Sequence, residues 1–306
     1  MGRVAFVFSG QGDQHPGMGE ALCRRYPEAA KVFELCDALR PGTSGQCFSG
    51  SVEELKETVN TQPCLFAMEL AAAQALRGCG LEPDMAAGFS LGELSALAFA
   101  GAMSIEAGFE LVCRRGDLMQ RDAEKHDTSM AAVLKLPADQ VEQIAAAHEG
   151  VYTVNYNCPG QVSVSGLAQS MPAFLADVKA AGGRAMPLKV RGGFHSPFMR
   201  EAAEAFSEKL SGSDLRQPRI DVYSDVTGQP YGADVRRTLE KQICAPVRWE
   251  SIVRNMIAAG ADIFVEIGPG KTLCGLIARI APGVKTFAVS ACEELEELCR
   301  EVRACS

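Results

Sequence analysis

Short apolar runs of strand length alternate along this chain with longer stretches whose apolar residues recur every three or four positions. That alternation predicts strands interleaved with helices. Val4 to Phe8 is a buried strand that runs into a glycine-rich turn, Ser9-Gly10-Gln11-Gly12. Ser51 with Glu54 forms a capping-box pattern ahead of a helix. Thr61 to Arg77 is rich in Ala and Leu, has Pro63 near its start, and predicts a helix closed by Gly78. Met85 to Gly88 is a short strand, Leu91 to Ala100 a helix, and Ser104 caps a longer helix through Arg115 and Met119.

The middle of the chain reads as a separate unit. Met130 to Leu136 is a strand and Pro137 to His148 a helix that stops at Gly150. Val151 to Asn157 and Gln161 to Gly166 are strands joined by a Cys158-Pro159-Gly160 turn, Ser170 to Ala181 is a helix, and Arg184 to Val190 a last strand. The order β-α-β-β-α-β is that of a ferredoxin-like unit, which predicts a small subdomain over residues 128–191 inserted into a larger domain over 1–127 and 192–306. After it come a helix from Ser196 to Leu210, a strand from Ile220 to Ser224, and helices over 234–244 and 249–259. A strand from Asp262 to Ile267, a helix from Lys271 to Ile280 and a strand from Lys285 to Val289 complete the pattern. Strands alternating with helices imply a mostly parallel sheet covered on both faces. No internal repeat, linker or low-complexity tract interrupts the chain.

Composition narrows the function classes. The chain has 306 residues, 47% hydrophobic and 22% charged, which suits one large domain or two smaller ones. A net charge of −8 repels phosphate backbones and argues against nucleic acid. No apolar run approaches the roughly 20 residues of a membrane span, and the chain opens directly on an apolar strand. The 12 cysteines sit singly in apolar runs without a Cys-x-x-Cys pair, which favours reduced thiols and a cytoplasmic setting. The four histidines, His15, His126, His148 and His195, lie at no metal-ligand spacing from one another or from Cys, so no metal is expected. Lys189, Arg191 and Arg200 make a basic patch near His195 that is either a solvated face or a docking surface for an acidic partner.

The chemistry concentrates at Gly88-Phe89-Ser90-Leu91-Gly92, which follows a strand and opens a helix as a nucleophile elbow requires. Glycine at 88 and 92 removes side chains that would collide in so tight a turn. Ser90 is then exposed at a helix N-terminus whose backbone N–H groups face any oxyanion that forms. The bland alternative is a chance match in a chain with 30 glycines, and the strand-helix context speaks against it. A serine needs a base. His126 and His148 sit in polar helical stretches and read as surface residues, whereas His15 follows the first strand and could be near the site. His195 stands at a strand-to-helix junction, with Ser196 as N-cap and Pro197 as first helical residue. The residues alone leave it as either a base or a loop histidine without a role.

Further segments occur in order with these: Phe8-Ser9-Gly10-Gln11-Gly12-Asp13-Gln14, Thr61-Gln62-Pro63, Leu91-Gly92-Glu93, Arg115-Gly116 with Met119-Gln120, Asn157-Cys158-Pro159-Gly160-Gln161, Phe194-His195-Ser196, Ala245-Pro246-Val247-Arg248-Trp249 and Gly268-Pro269-Gly270-Lys271. Together they resemble the malonyl-CoA:acyl-carrier-protein transacylase family of fatty-acid synthesis, related to the acyltransferase domains of polyketide synthases, up to about residue 290. The resemblance implies an α/β-hydrolase-like large domain and a ping-pong reaction. Ser90 would take a malonyl group from malonyl-CoA and pass it to the phosphopantetheine thiol of an acyl carrier protein. It implies His195 as base, oriented by the backbone carbonyl of Gln242, and an oxyanion site from the N–H groups of Gln11 and Leu91. It also implies Gln62 lining the pocket and Arg115 paired with the malonyl carboxylate, with no cofactor. Phe194 is what malonyl-selective acyltransferase domains tend to show, and its ring would exclude an α-methyl group. Two positions depart from the family: Phe89 where it usually has His, and Ala245 where it often has Asn. The first bears on substrate preference, the second on how the Gln242 carbonyl is held.

Rival readings are an acyl-thioester or ester hydrolase using the same serine, an idle carrier-docking subunit, and a free-standing acyltransferase of a polyketide synthase. No histidine follows His195 and no Asp-Gly pair occurs, which disfavours the α/β-hydrolase and patatin-like orders. Nothing in the sequence sets the assembly state, for which a monomer is the expectation.

Overall fold

A strand buried on both faces belongs in the middle of a covered parallel sheet, and the first strand, β1 (Arg3–Phe8), is buried from Val4 through Phe8. The computed structural model describes residues 2–291 and 295–305. After β1 come α1 (Glu20–Arg25), α2 (Pro27–Leu39), α3 (Thr43–Ser49), α4 (Val52–Lys56), α5 (Thr58–Gly78), β2 (Met85–Gly88), α6 (Leu91–Phe99) and α7 (Ile105–Lys125). A middle stretch follows with β3 (Thr128–Leu134), α8 (Ala138–Ala146), β4 (Val151–Cys158), β5 (Gln161–Leu167), α9 (Met171–Ala180) and β6 (Arg184–Arg191). The chain then returns through α10 (Arg200–Ser211), β7 (Asp221–Tyr223), α11 (Val235–Leu239), α12 (Trp249–Ala258), β8 (Ala261–Ile267), α13 (Thr272–Ile280), β9 (Lys285–Ala288) and α14 (Leu295–Cys305).

Among the described residues the larger sheet is parallel, in the order β7-β2-β1-β8-β9. Side chains alternate across β1. Val4, Phe6 and Phe8 join the core beneath α2, α5, α6, α7, α10 and α14, and Ala5 and Val7 join a second core beneath α12 and α13. Helix α5 is apolar nearly all round, as a helix enclosed by neighbours must be. The second sheet is antiparallel, in the order β4-β5-β3-β6. One of its faces packs α8 and α9 through Val141, Phe174 and Val178. Met130 and Val154 on the other side join the main core.

The structure departs from the sequence pattern in several places. Helices α1, α2, α3 and α14 were not anticipated, although Ala29, Val32, Phe33 and Cys36 in α2, and Leu295, Leu298, Cys299 and Val302 in α14, bury one face at helical spacing. Helix α5 starts at Thr58, so Pro63 lies inside it. The helix expected over 234–244 breaks into α11 and a separate 3₁₀ turn, Gln242–Cys244. Ala245 precedes Pro246, which disfavours helical backbone there, and the carbonyls of Gln242 and Ala245 bond a histidine instead.

Candidate active site

Two residues, Phe89 and Ser90, turn the chain from β2 into α6. A Cβ on Gly88 would lie 1.9 Å from the carbonyl carbon of Gly92, and one on Gly92 would lie 2.3 Å from the carbonyl oxygen of Phe8. Neither position can carry a side chain while the elbow keeps its shape. Ser90 sits at φ 55°, ψ −102°, and of the three described non-glycine residues with positive φ, two are Ser90 and His195. Such conformations persist only where their surroundings impose them, and they gather at functional sites.

His195 is buried, with Nε2 2.7 Å from Ser90 Oγ. Its Nδ1 lies 3.1 Å from the carbonyl oxygens of both Gln242 and Ala245. Carbonyls only accept, so Nδ1 carries the proton and Nε2 is free to accept from the serine, an assignment made from the partners. Burial pushes the imidazole down to about 4, with the Arg115 charge adding to the effect and the two carbonyls opposing it. The ring is therefore neutral at pH 7, the state a general base needs.

Arg115, from α7, is completely buried and is neither a surface arginine nor part of an ion pair along its helix. Its Nη1 donates to Gln62 Oε1 at 2.9 Å, and its Nη2 donates to Gln242 Oε1 at 2.8 Å and to Ser90 Oγ at 3.2 Å. Its Nε has no acceptor, and among the described residues no carboxylate lies within ion-pair distance of it. Desolvation lowers its affinity for the proton to about 10, opposed by Asp225 and Glu93, so it remains a cation at neutral pH. A buried guanidinium without a carboxylate partner, beside an activated serine, is a ready receptor for an acidic acyl group.

Leu91 opens α6, where the first N–H groups of a helix lack intrahelical acceptors. Gln11 lies in the turn after β1; the neighbouring Gly10 abuts the elbow so closely that a Cβ there would be 2.9 Å from the Phe89 carbonyl oxygen. Phe194 is buried and shares with Gln11 the wall of a cleft of about 730 Å³ that extends past Thr58, Gln120 and His126. A second hollow, of about 210 Å³, opens from Gln11 past Phe89 toward Asn155 and Asn157 on the smaller sheet. Phe89 rests on the Trp249 ring, with centroids 5.6 Å apart.

All eight residues singled out from the sequence thus lie around one serine or on the clefts beside it. His15 is exposed, with its ring bonded to the neighbouring Pro16 carbonyl, and lines neither cleft. His148 pairs with Asp177. Of the basic patch, Arg200 is exposed, while the side chains of Lys189 and Arg191 lie outside the described residues. Three polar groups beneath the elbow were missed. Asp225 Oδ2 accepts from the Ser90 N–H at 2.8 Å, Glu93 Oε1 accepts from the Asp225 N–H at 3.1 Å, and Tyr231 donates to Glu93 Oε1 at 2.5 Å. An acidic residue inside the apolar run of α6 was the available signal for Glu93; no local signal marks Asp225. The Gln242 side chain was missed as well, and its Nε2 donates to the Ser90 carbonyl at 2.5 Å.

The chain is similar to known proteins over nearly its whole length. A family model described as the acyl transferase domain matches residues 5–298. The malonyl CoA-acyl carrier protein transacylase of Bacillus subtilis (strain 168) is 38% identical over 304 residues, covering 97% of this chain and 96% of that protein. The crystal structure of the malonyl CoA-acyl carrier protein transacylase of Clostridium perfringens superposes with a TM-score of 0.95 at 33% identity, over 99% of this chain and 98% of that one. A malonyl-transacylase solved in complex with its type II polyketide synthase acyl-carrier protein gives a TM-score of 0.94 at 31% identity, over 98% and 99% of the two chains.

Proposed function

The chain belongs to the acyl transferase domain family and is an acyltransferase, and from that premise we propose that it moves a malonyl group from malonyl-CoA to the phosphopantetheine thiol of an acyl carrier protein. The observation that carries the reading is the buried, carboxylate-free guanidinium of Arg115 within 3.2 Å of Ser90 Oγ. A simple ester or acetyl group gives such a cation nothing to pair with, whereas a malonyl thioester brings a free carboxylate to it.

The chemistry follows from the protonation states. Neutral His195 takes the Ser90 proton at Nε2 as Oγ attacks the thioester carbonyl. The imidazolium is stabilised through Nδ1–H by the carbonyls of Gln242 and Ala245. The oxyanion is received by the backbone N–H groups of Gln11 and Leu91. Collapse expels the CoA sulfur, which recovers the proton from His195 and leaves malonyl-Ser90. The carrier thiol then repeats the steps in reverse, with His195 taking the thiol proton and returning it to Ser90. Each half-reaction restores the histidine, so the cycle calls for no metal or organic cofactor. Gln62 holds Arg115 in place. The Phe194 ring walls the cleft where an α-substituent would lie, which favours malonyl over methylmalonyl.

The same reading takes residues 1–127 and 192–306 as an α/β-hydrolase-like catalytic domain and 128–191 as a ferredoxin-like subdomain. The antiparallel order β4-β5-β3-β6, with α8 and α9 on one face, supports the second part. The carrier protein approaches the clefts between the two units, with Arg200 at their margin. Among the described residues no helix is long and apolar enough to cross a membrane. The eleven described cysteines are free, which supports a cytoplasmic setting. We take the working unit to be a monomer without a nucleic-acid partner.

The test is intact-mass measurement after mixing with malonyl-, acetyl- or methylmalonyl-CoA, with and without phosphopantetheinylated carrier protein. A single malonyl adduct, absent in Ser90→Ala and chased onto the carrier, is the expected result. Free malonate accumulating without carrier would replace this reading with a hydrolase. Preference between fatty-acid and polyketide carriers assigns the pathway.

A further inference from the structure

Beneath the nucleophile lie two carboxyl groups that the acyl-transfer chemistry leaves unused. Glu93 and Asp225 are both buried. Glu93 Oε1 is fully engaged, accepting from the Asp225 N–H and the Tyr231 hydroxyl. Asp225 Oδ2 accepts from the Ser90 N–H at 2.8 Å and from Gln242 Nε2 at 3.3 Å. The remaining oxygens, Glu93 Oε2 and Asp225 Oδ1, are buried and find no donor. Yet the two carboxyl groups are neighbours in one buried site, since the backbone N–H of Asp225 itself donates to Glu93 Oε1 at 3.1 Å. Two acceptor oxygens cannot meet in a buried site as two anions, and one proton between them satisfies both.

We propose that Glu93 and Asp225 share a single proton and act as positioning residues for acyl transfer, the pair fixing the Ser90 backbone from below and, through the Gln242 amide, the guanidinium of Arg115. The positioning role rests on the transfer reading above; the shared proton does not. The chain of contacts is continuous. Gln242 Nε2 donates to Asp225 Oδ2 and to the Ser90 carbonyl, and Gln242 Oε1 accepts from Arg115 Nη2. The protonated pair carries one negative charge, which acts on the Arg115 cation from beyond ion-pair distance, across Gln242. Burial and mutual repulsion hold the proton on the pair, with Asp225 raised well above the ordinary carboxylate range. Loss of that proton at high pH would set two anions against each other and displace the acceptor that holds the Ser90 N–H. Tyr231 and Arg115 also face the pair. Tyr231 is held neutral by burial and by Glu93. Arg115 titrates near 10, and its loss would act on KM for malonyl-CoA rather than on kcat alone. His195 governs the acid limb.

Two measurements on the full-length protein test the pair. The first is the carbonyl region of the infrared spectrum in H₂O and D₂O. A protonated-carboxyl band that shifts in D₂O should vanish in both Asp225→Asn and Glu93→Gln, while bands from the other buried acids, assigned with Glu69→Gln, persist. The second is the pH profile of kcat. Wild type should lose kcat at alkaline pH, and Asp225→Asn, whose amide cannot lose the bridging proton, should lack that fall. Asp225→Ala, which removes the acceptor, should lower kcat about tenfold to a hundredfold at every pH, and Asn at the same position should recover most of that loss. Circular dichroism checks that each variant is folded. A carboxyl band unchanged in both isosteric variants overturns the shared proton. An alkaline fall that persists in Asp225→Asn, or Asp225→Ala with wild-type kcat, overturns the positioning role. If wild type forms no malonyl adduct on Ser90, the transfer reading fails while the infrared result still decides the pair.

Discussion

Arg115→Ala removes the acyl receptor while leaving Ser90 and His195 in place. In the wild type the guanidinium is fully buried and remains a cation, since burial lowers it only to about 10. A malonyl carboxylate about 4 Å from it, at an effective dielectric of about 20, gains roughly 4 kcal/mol. Desolvation of the carboxylate subtracts from that and leaves about 2–4 kcal/mol. At about 1.4 kcal/mol per factor of ten, kcat/KM for malonyl-CoA should fall roughly 30- to 1,000-fold. Acetyl-CoA has no carboxylate to lose. It should feel only the missing donors to Ser90 Oγ, Gln242 Oε1 and Gln62 Oε1, a loss of about two- to tenfold. The malonyl-to-acetyl ratio should therefore drop at least about threefold, with Arg115→Lys between the extremes because it keeps the charge without the fork. Rapid-quench acylation of Ser90 with each thioester, read by intact mass, measures the ratio. If both substrates decline by the same factor, Arg115 merely props the serine and the carboxylate clamp is refuted.

Other consequences can be checked in parallel. His195 is depressed from 6.5 to about 4 by burial, so the unfolded chain binds a proton between those values that the folded chain refuses. Its contribution to stability is complete above pH 6.5 and is lost as pH falls toward 4, by about 3 kcal/mol. Denaturation of wild type and His195→Asn across that window should converge by this amount, and parallel curves would contradict the burial argument. The same titration predicts acylation that rises through about pH 4 and is flat near neutrality, with His195→Ala slower by about 10²–10⁴-fold. Gly88→Ala, whose Cβ would fall 1.9 Å from a backbone carbon, should cost more than about 4 kcal/mol or yield insoluble protein; a well-folded, active variant would show that the elbow can relax. Phe194→Ser should raise the methylmalonyl share about tenfold or more, within the range a single methyl group commands in a pocket, as competition between the two thioesters would reveal.

The parts of the site that could be read ahead of the structure are the ones whose cause is local. Gly88 and Gly92 flank a turn between a strand and a helix, and their need follows from the covalent geometry of a few consecutive residues. The strand before Ser9 and the caps at Ser51 and Ser104 are short-range in the same sense, and the capping box and the Ser104 cap both formed. The α2 and α14 helices carried readable apolar spacing that went unused. The break after α11 was not readable from periodicity, because it arises where two backbone carbonyls turn to a histidine 47 and 50 residues away.

The amino-acid order by itself determined the alternation of strands and helices, the elbow that exposes Ser90, and the set of residues that resembles a transacylase site, since these follow from periodicity, glycine sterics and motif order. Only the tertiary structure decided that Arg115 is buried rather than solvated, that His195 is neutral with Nε2 toward Ser90, and that Gln242 contributes its side chain as well as its carbonyl. It alone brought Asp225 under a serine 135 positions earlier. Charge state and hydrogen-bond partnership depend on desolvation and on contacts between segments far apart in the chain, and no local pattern encodes either.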